Sequence, residues 1–163
     1  MTLTINLGVI DQPYLNDAGE KKATTTSEVA QLLEDKYHVM ETFFYVNEDN
    51  ITKYLENSLD TALNAMISGA TVKPFIAAEG QIERDFKQFL SNQVMDQLGI
   101  PGVPTKAALD GVSHRFKWSI NNVTTWELVR GKRVKVKKYG APRPSFIDTG
   151  MYQAAFKAWF EES

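Results

Sequence analysis

Between Thr25 and Leu98 apolar residues return every three or four positions, a periodicity that restricts most of this stretch to amphipathic helices packed through one face. Thr25 and Glu28 form a capping box, in which the two side chains satisfy the first unpaired backbone donors of a helix. Helix one follows, with Val29, Leu32, Leu33, Tyr37, Met40, Phe43 and Phe44 along one face. Asn47 and Asp49 supply side-chain oxygens for a second helix start. Ile51, Leu55, Leu59, Ala62, Leu63, Met66 and Ile67 make its face, and Gly69 suits a left-handed stop. A third helix is predicted from Ala77 to Leu98, with Ile82, Phe86, Phe89, Leu90, Val94 and Leu98 on one side and Gly99 as terminator. Each face has to be buried, and three helices with short links predict a bundle.

Gly99-Ile-Pro-Gly-Val-Pro ends the periodicity and marks a change of charge. Residues 1–99 carry 7 Lys+Arg against 15 Asp+Glu, a net of -8, whereas residues 100–163 carry 11 against 5, a net of +6. Beyond the break, Thr105 caps a short helix through Ala107, Ala108 and Val112, with Phe116 extending its face. Past Asn121-Asn122, Val123–Val129 and Lys132–Tyr139 flank Arg130-Gly131, a β-hairpin signal because glycine permits the positive φ of a tight turn. Two-residue alternation puts Trp126, Leu128, Val134 and Val136 on one expected face and Arg133, Lys135 and Lys137 on the other. Pro142 and Pro144 enforce an extended segment, after which Asp148 is placed to cap a final helix with the face Tyr152, Ala155, Phe156, Trp159 and Phe160.

The expected architecture is therefore α+β and mainly helical: an extended N-terminal arm over 1–24, with turn residues at Asn16 to Gly19, and an acidic three-helix bundle over 25–99. A basic region over 100–163, holding a short helix, the hairpin and a C-terminal helix, forms one structural unit with the bundle. A length of 163 residues fits one domain. Aromatic content of 11% and a net charge of -2 exclude disorder throughout. The absence of cysteine excludes disulfides, thiolate metal sites and a cysteine nucleophile. The N-terminus has no basic leader, and no run of about 18 apolar residues occurs, so neither classical secretion nor a membrane span is expected.

Phe146-Ile147-Asp148-Thr149-Gly150 has the form in which aspartic proteases present a catalytic carboxylate. Such a site needs a β-rich domain around it, whereas the residues after Gly150 read as a helix, so Asp148 is assigned as an N-cap. His38 and His114 belong to no ligand-spaced pair, and no phosphate-cradling glycine loop is present. No enzyme, metal or cofactor is expected. The basic run Arg130, Lys132, Arg133, Lys135, Lys137 and Lys138 has three readings: docking on an acidic protein surface, which is favoured; a solvated hairpin whose lysines resist edge pairing; and phosphate binding in a nucleic acid, which the sequence pI near 5.7 disfavours. The aromatics Tyr152, Phe156, Trp159 and Phe160 either close the core or anchor the chain in a neighbouring subunit.

The string Ala141-Pro-Arg-Pro-Ser-Phe-Ile-Asp-Thr-Gly-Met-Tyr-Gln-Ala-Ala-Phe-Lys-Ala-Trp resembles structural proteins of tailed bacteriophages. The same holds for Ile100-Pro-Gly-Val-Pro-Thr-Lys-Ala-Ala-Leu, Gly111-Val-Ser-His-Arg-Phe, Leu7-Gly-Val-Ile-Asp-Gln-Pro-Tyr and Glu34-Asp-Lys-Tyr-His-Val-Met-Glu. The proline-flanked Ile-Asp-Thr-Gly is similar to that of phage neck and tail-completion proteins, which join head to tail. The resemblance implies a virion component of a contractile-tailed phage, assembled in the host cytoplasm as a homo-oligomeric ring in contact with other neck or tail proteins. The joining proteins carry more sheet after this segment, and the hairpin from Val123 to Tyr139 stands as an insertion before it. A baseplate or tube-to-sheath adaptor is the alternative within virion proteins; a nucleic-acid-binding module using the hairpin is the alternative from another class. A chain with an acidic and a basic pole suits head-to-tail assembly, and a heterologous interface that closes makes a ring. On this view residues 1–24 and the proline-rich 139–147 reach across neighbours and order on assembly.

Overall fold

A computed structural model describes residues 3–15, 21–111, 124–129, 131–137 and 141–162, giving the backbone alone at 15, 21–23, 124–127, 129, 134–137 and 162. The capping box forms: the Thr25 hydroxyl oxygen accepts the Glu28 N–H at 3.4 Å and the Glu28 carboxylate accepts the Thr25 N–H at 3.1 Å. Helix α1 follows over Thr26–Tyr37. It ends at His38, in the left-handed region at φ 51, and α2 begins at once, running over Val39–Ile67. The second helix start is thus His38 rather than Asn47 or Asp49. Glu34 explains the shift, because its carboxylate accepts the N–H groups of Met40 at 2.8 Å and Glu41 at 3.0 Å and so caps α2 from the preceding helix. Asn47 bonds within α2, its amide donating to the Phe43 carbonyl at 2.9 Å. Helix α3 covers Ile76–Ser91, and the predicted run to Leu98 is broken at Gln93, also left-handed, before the short α4, Val94–Gln97. Thr105 caps α5, Lys106–Leu109, by accepting the Ala108 N–H at 3.2 Å. Val112, His114 and Phe116 lie outside the described residues.

The N-terminal segment is extended, as expected, but it is built into its own chain. Strand β1, Leu3–Val9, pairs antiparallel with a strand at the other end of the sequence, Phe156–Glu162. Two short strands, β2 (Pro13–Leu15) and β3 (Lys21–Thr25), pair with each other and lead into α1. Buried Thr26 fastens this connection: its hydroxyl donates to the Ile10 carbonyl at 2.7 Å and accepts the Gln12 N–H at 2.8 Å. The proline-rich segment is likewise held within the chain from residue 141 onward, the Arg143 N–H donating to the Ala108 carbonyl at 3.0 Å and the Thr105 N–H to the Ser145 hydroxyl at 3.1 Å.

After the hairpin strands β4 (Thr124–Val129) and β5 (Lys132–Lys137), the C-terminal helix expected from the sequence is replaced by two elements. A single turn, α6, covers Met151–Ala155, and the chain then extends as β6, Phe156–Glu162. Opposed pairs Val9↔Phe156, Leu7↔Ala158 and Ile5↔Phe160 give the sheet one apolar face. The other face carries Trp159, whose ring lies where a side chain on Gly8 would stand: a Cβ there would be 3.0 Å from it.

The core is aromatic. Phe43 of α2 meets Phe86 and Phe89 of α3 edge-on at 5.2 and 5.5 Å between centroids, and Phe156 at 6.0 Å. Phe86 stacks on Phe156 at 3.8 Å and touches Tyr152 at 5.7 Å. Val39, Ile82, Leu90 and Met95 complete the interior, which joins helices and sheet into one mainly helical α+β unit. Each such side chain contributes about 1.5–3 kcal/mol by leaving water.

Candidate interaction surface

The hairpin is an antiparallel ribbon of two strands, with Val129 opposite Lys132 and Gly131 at φ +77 in the turn. That dihedral is one a glycine adopts at no steric cost. The register revises the expected faces. Trp126 opposes Lys135, Leu128 opposes Arg133, and Thr124 opposes Lys137. Opposed positions belong to the same face. Positions 126 and 128 therefore share a face with 133, 135 and 137, while 134 and 136 lie with 125, 127, 129 and 132. A two-residue turn pairs every even-numbered position with an odd-numbered one, so the even positions of the two strands cannot line one face. Apolar and cationic positions are interleaved instead of segregated.

Lys132 and Arg133 are exposed, and Leu128 beside Arg133 is 72% exposed. Lys135 and Lys137 are register positions of β5 whose side chains lie outside the described residues, as do Arg130 and Lys138 altogether. The terminal aromatics divide. Tyr152 and Phe156 are interior, at 3% and 0% exposure, so as partner contacts they are corrected to core residues. Phe160 is half-buried and packs on Phe75 at 5.0 Å, while Trp159 retains 40% exposure.

Asp148 does not cap the last helix. Gly150 holds that position, the Thr149 hydroxyl accepts the Met151 N–H at 3.3 Å, and the exposed Asp148 carboxylate faces the Arg143 guanidinium at 3.6 Å. Arg143 also donates to the carbonyl of Ile147, which folds the proline segment back on itself. The carboxylate thus serves a loop ion pair.

Ligand atoms of Glu34, His38 and Glu41 lie within 4.8 Å of one another. Both Glu34 oxygens are engaged in capping α2, and His38 Nδ1 contacts Glu41 at 2.9 Å, so the trio belongs to the helix junction. The Tyr54 hydroxyl donates to Asp85 at 2.7 Å, and this hydrogen bond raises its pKa. The Tyr152 phenol is raised chiefly by burial.

A second surface was not anticipated. Leu59, Leu63, Met66 and Ile67, expected to be covered, are 47%, 50%, 52% and 85% exposed. With 29 residues at about 1.5 Å each, α2 is almost twice as long as α3 with 16, and its last turns outrun the body. Leu59, Ala62, Leu63 and Met66 line a groove of about 340 Å³ with Leu3, Pro74 and Phe75. A neighbouring hollow shares Leu3, Pro74 and Phe75 and adds Ile76, Glu79, Lys73 and Phe160. The sequence carries no signal for this groove, since the second apolar stretch, Ile51 to Ile67, reads no longer than the third, Ala77 to Leu98.

No family model, curated protein or solved structure matches the chain. Among the described residues no helix is long and apolar enough to cross a membrane.

Proposed function

We propose that the chain is a non-enzymatic virion subunit that forms a ring in the head-to-tail connection of a tailed phage. The observation that carries this reading is β6. Joining proteins, which the Pro-Arg-Pro-Ser-Phe-Ile-Asp-Thr-Gly run resembles, carry sheet after that segment, and here one turn of helix gives way to a strand of seven residues. Two further features support it. The chain has poles of opposite charge, -8 before residue 100 and +6 after it. It also has a two-stranded ribbon with Leu128, Lys132 and Arg133 exposed, which offers a neighbour something to grip. Opposite poles favour a heterologous contact, and closure of that contact makes a ring.

Electron microscopy and sedimentation of the purified protein test the reading. Closed rings are expected, and the paired reversal Lys132→Glu with Arg133→Glu is expected to shift the protein toward monomer with an unchanged circular dichroism spectrum. In particles of the virus that encodes the chain, an antibody label is expected at the neck. Label at the baseplate moves the protein to the adaptor role, and absence of the protein from particles rejects a virion role.

A further inference from the structure

We infer that the apolar groove at the far end of α2 is the seat for the hairpin tip of a second copy of this chain. The inference rests on the ring reading and supplies its interface.

The groove and the tip carry matching chemistry of opposite charge. On the groove side, Leu59, Leu63 and Met66 stand at helical spacing on α2, and Phe75 and Leu3 form the facing wall. Two exposed acids, Glu56 and Asp60, one turn apart on α2, run beside Leu59 and Leu63, while the adjoining hollow holds half-buried Glu79 together with exposed Lys73. On the hairpin side, Leu128 is 72% exposed with the exposed cation Arg133 directly across the ladder, and exposed Lys132 follows the turn. A leucine exposed to this degree leaves its apolar surface in water, and a groove of about 340 Å³ is large enough to take it together with the aliphatic stem of the neighbouring arginine. Seating Leu128 against Leu63 and Met66 places Arg133 near Asp60. Apolar burial supplies the affinity, and the charges select the orientation.

The contact joins two different surfaces, so it propagates head to tail, and it makes a ring where the rotation from copy to copy closes. A groove that instead paired with its own copy would bring the Glu56 and Asp60 edges of two copies together, which like charges oppose.

The chain has no cysteine, which makes the contact testable without background. Leu63→Cys and Leu128→Cys are prepared as two proteins of different tag mass, mixed under conditions where the wild type is oligomeric, and oxidised gently. A mixed disulfide dimer is expected to exceed the sum of both homodimers. Leu128→Asp is expected to weaken association at least tenfold with no change in the monomer's circular dichroism. Asp60→Lys weakens it as well, and combining it with Arg133→Glu recovers most of the loss. Homodimers dominating, or the three dimers in random proportion, would overturn the seat while leaving the ring reading intact if rings still form. A wild type that sediments as monomer at every concentration overturns both.

Discussion

Phe43 and Leu63 sit on the same helix, each in an apolar stripe repeated at three- and four-residue spacing, yet Phe43 is fully buried and Leu63 is half exposed. The difference lies outside α2. Around Phe43 the chain supplies Phe86 and Phe89 from α3 and Phe156 from β6, three rings within 6.0 Å. Around Leu63 the chain supplies one wall, Leu3, Pro74 and Phe75, and then ends its cover because α3 starts only at Ile76 and runs back toward the body. Periodicity specifies which face of a helix avoids water; the length of its neighbours decides whether anything is there to cover it.

The sharpest way to break this comparison is to truncate both residues. Phe43→Ala removes the hub of the aromatic cluster and is expected to cost about 3–5 kcal/mol in urea unfolding. Leu63→Ala is expected to change the same measurement by less than about 0.5 kcal/mol, because little packing is lost at a half-exposed position and alanine is the better helix former. Comparable losses at the two sites would show that the far end of α2 is covered in the isolated protein.

What was legible in the sequence follows the same division. The capping box at Thr25 and Glu28, the glycine stop at Gly69, the Thr105 cap and the hairpin turn at Gly131 are local, and each is fixed by residues a few positions apart. The run Phe156, Trp159, Phe160 also fits helical spacing, but Phe156, Ala158 and Phe160 fit strand alternation equally well. The choice was made by β1, almost the whole chain away in sequence, whose Val9, Leu7 and Ile5 stand opposite them. The hairpin faces failed for a related reason: alternation along each strand was readable, whereas the phase between strands depends on turn length. Of the candidate contacts, Lys132 and Arg133 are exposed and Tyr152 and Phe156 are interior, while the α2 groove is not legible because a stripe of leucines looks the same whether or not it has a partner.

Tyr152 tests the buried side of the comparison at a smaller scale. It packs on Phe86, which in turn contacts Phe43, and its hydroxyl has no hydrogen-bond partner among the described residues. Tyr152→Phe keeps the ring and removes the unsatisfied polar atom, so a gain of about 1 kcal/mol is expected. Burial is also the first cause of the raised phenol pKa, with Glu34 and Tyr14 adding to it. Because the folded value lies above the unfolded value of 10.0, the phenol stays protonated in the folded protein while the unfolded chain ionises. Its contribution is complete below pH 10.0 and declines as pH rises toward the folded value. Thermal melts across that boundary should therefore show a fall in stability that is shallower in Tyr152→Phe. Equal slopes would mean that the phenol ionises alike in the folded and unfolded chain, so that water reaches its hydroxyl.

The smallest effect is expected at the seam between α3 and β6, where Lys157 donates to Glu83 at 2.9 Å. The distance suits a strong charge-assisted bond, but the Lys157 side chain is 45% exposed, so water and salt screen the attraction and much of the geometric advantage is lost. Lys157→Met preserves the apolar stem along the strand and removes the charge. A loss of at most about 1 kcal/mol is expected, fading as salt is raised. A loss that approached the Phe43→Ala value and ignored salt would place Glu83 in an effectively buried site after removal of its partner, since an uncompensated interior charge costs far more than a surface pair contributes. The seam would then belong with the aromatic core, and the boundary between the covered and uncovered parts of the molecule would lie further out along α3 than the burial of its residues implies.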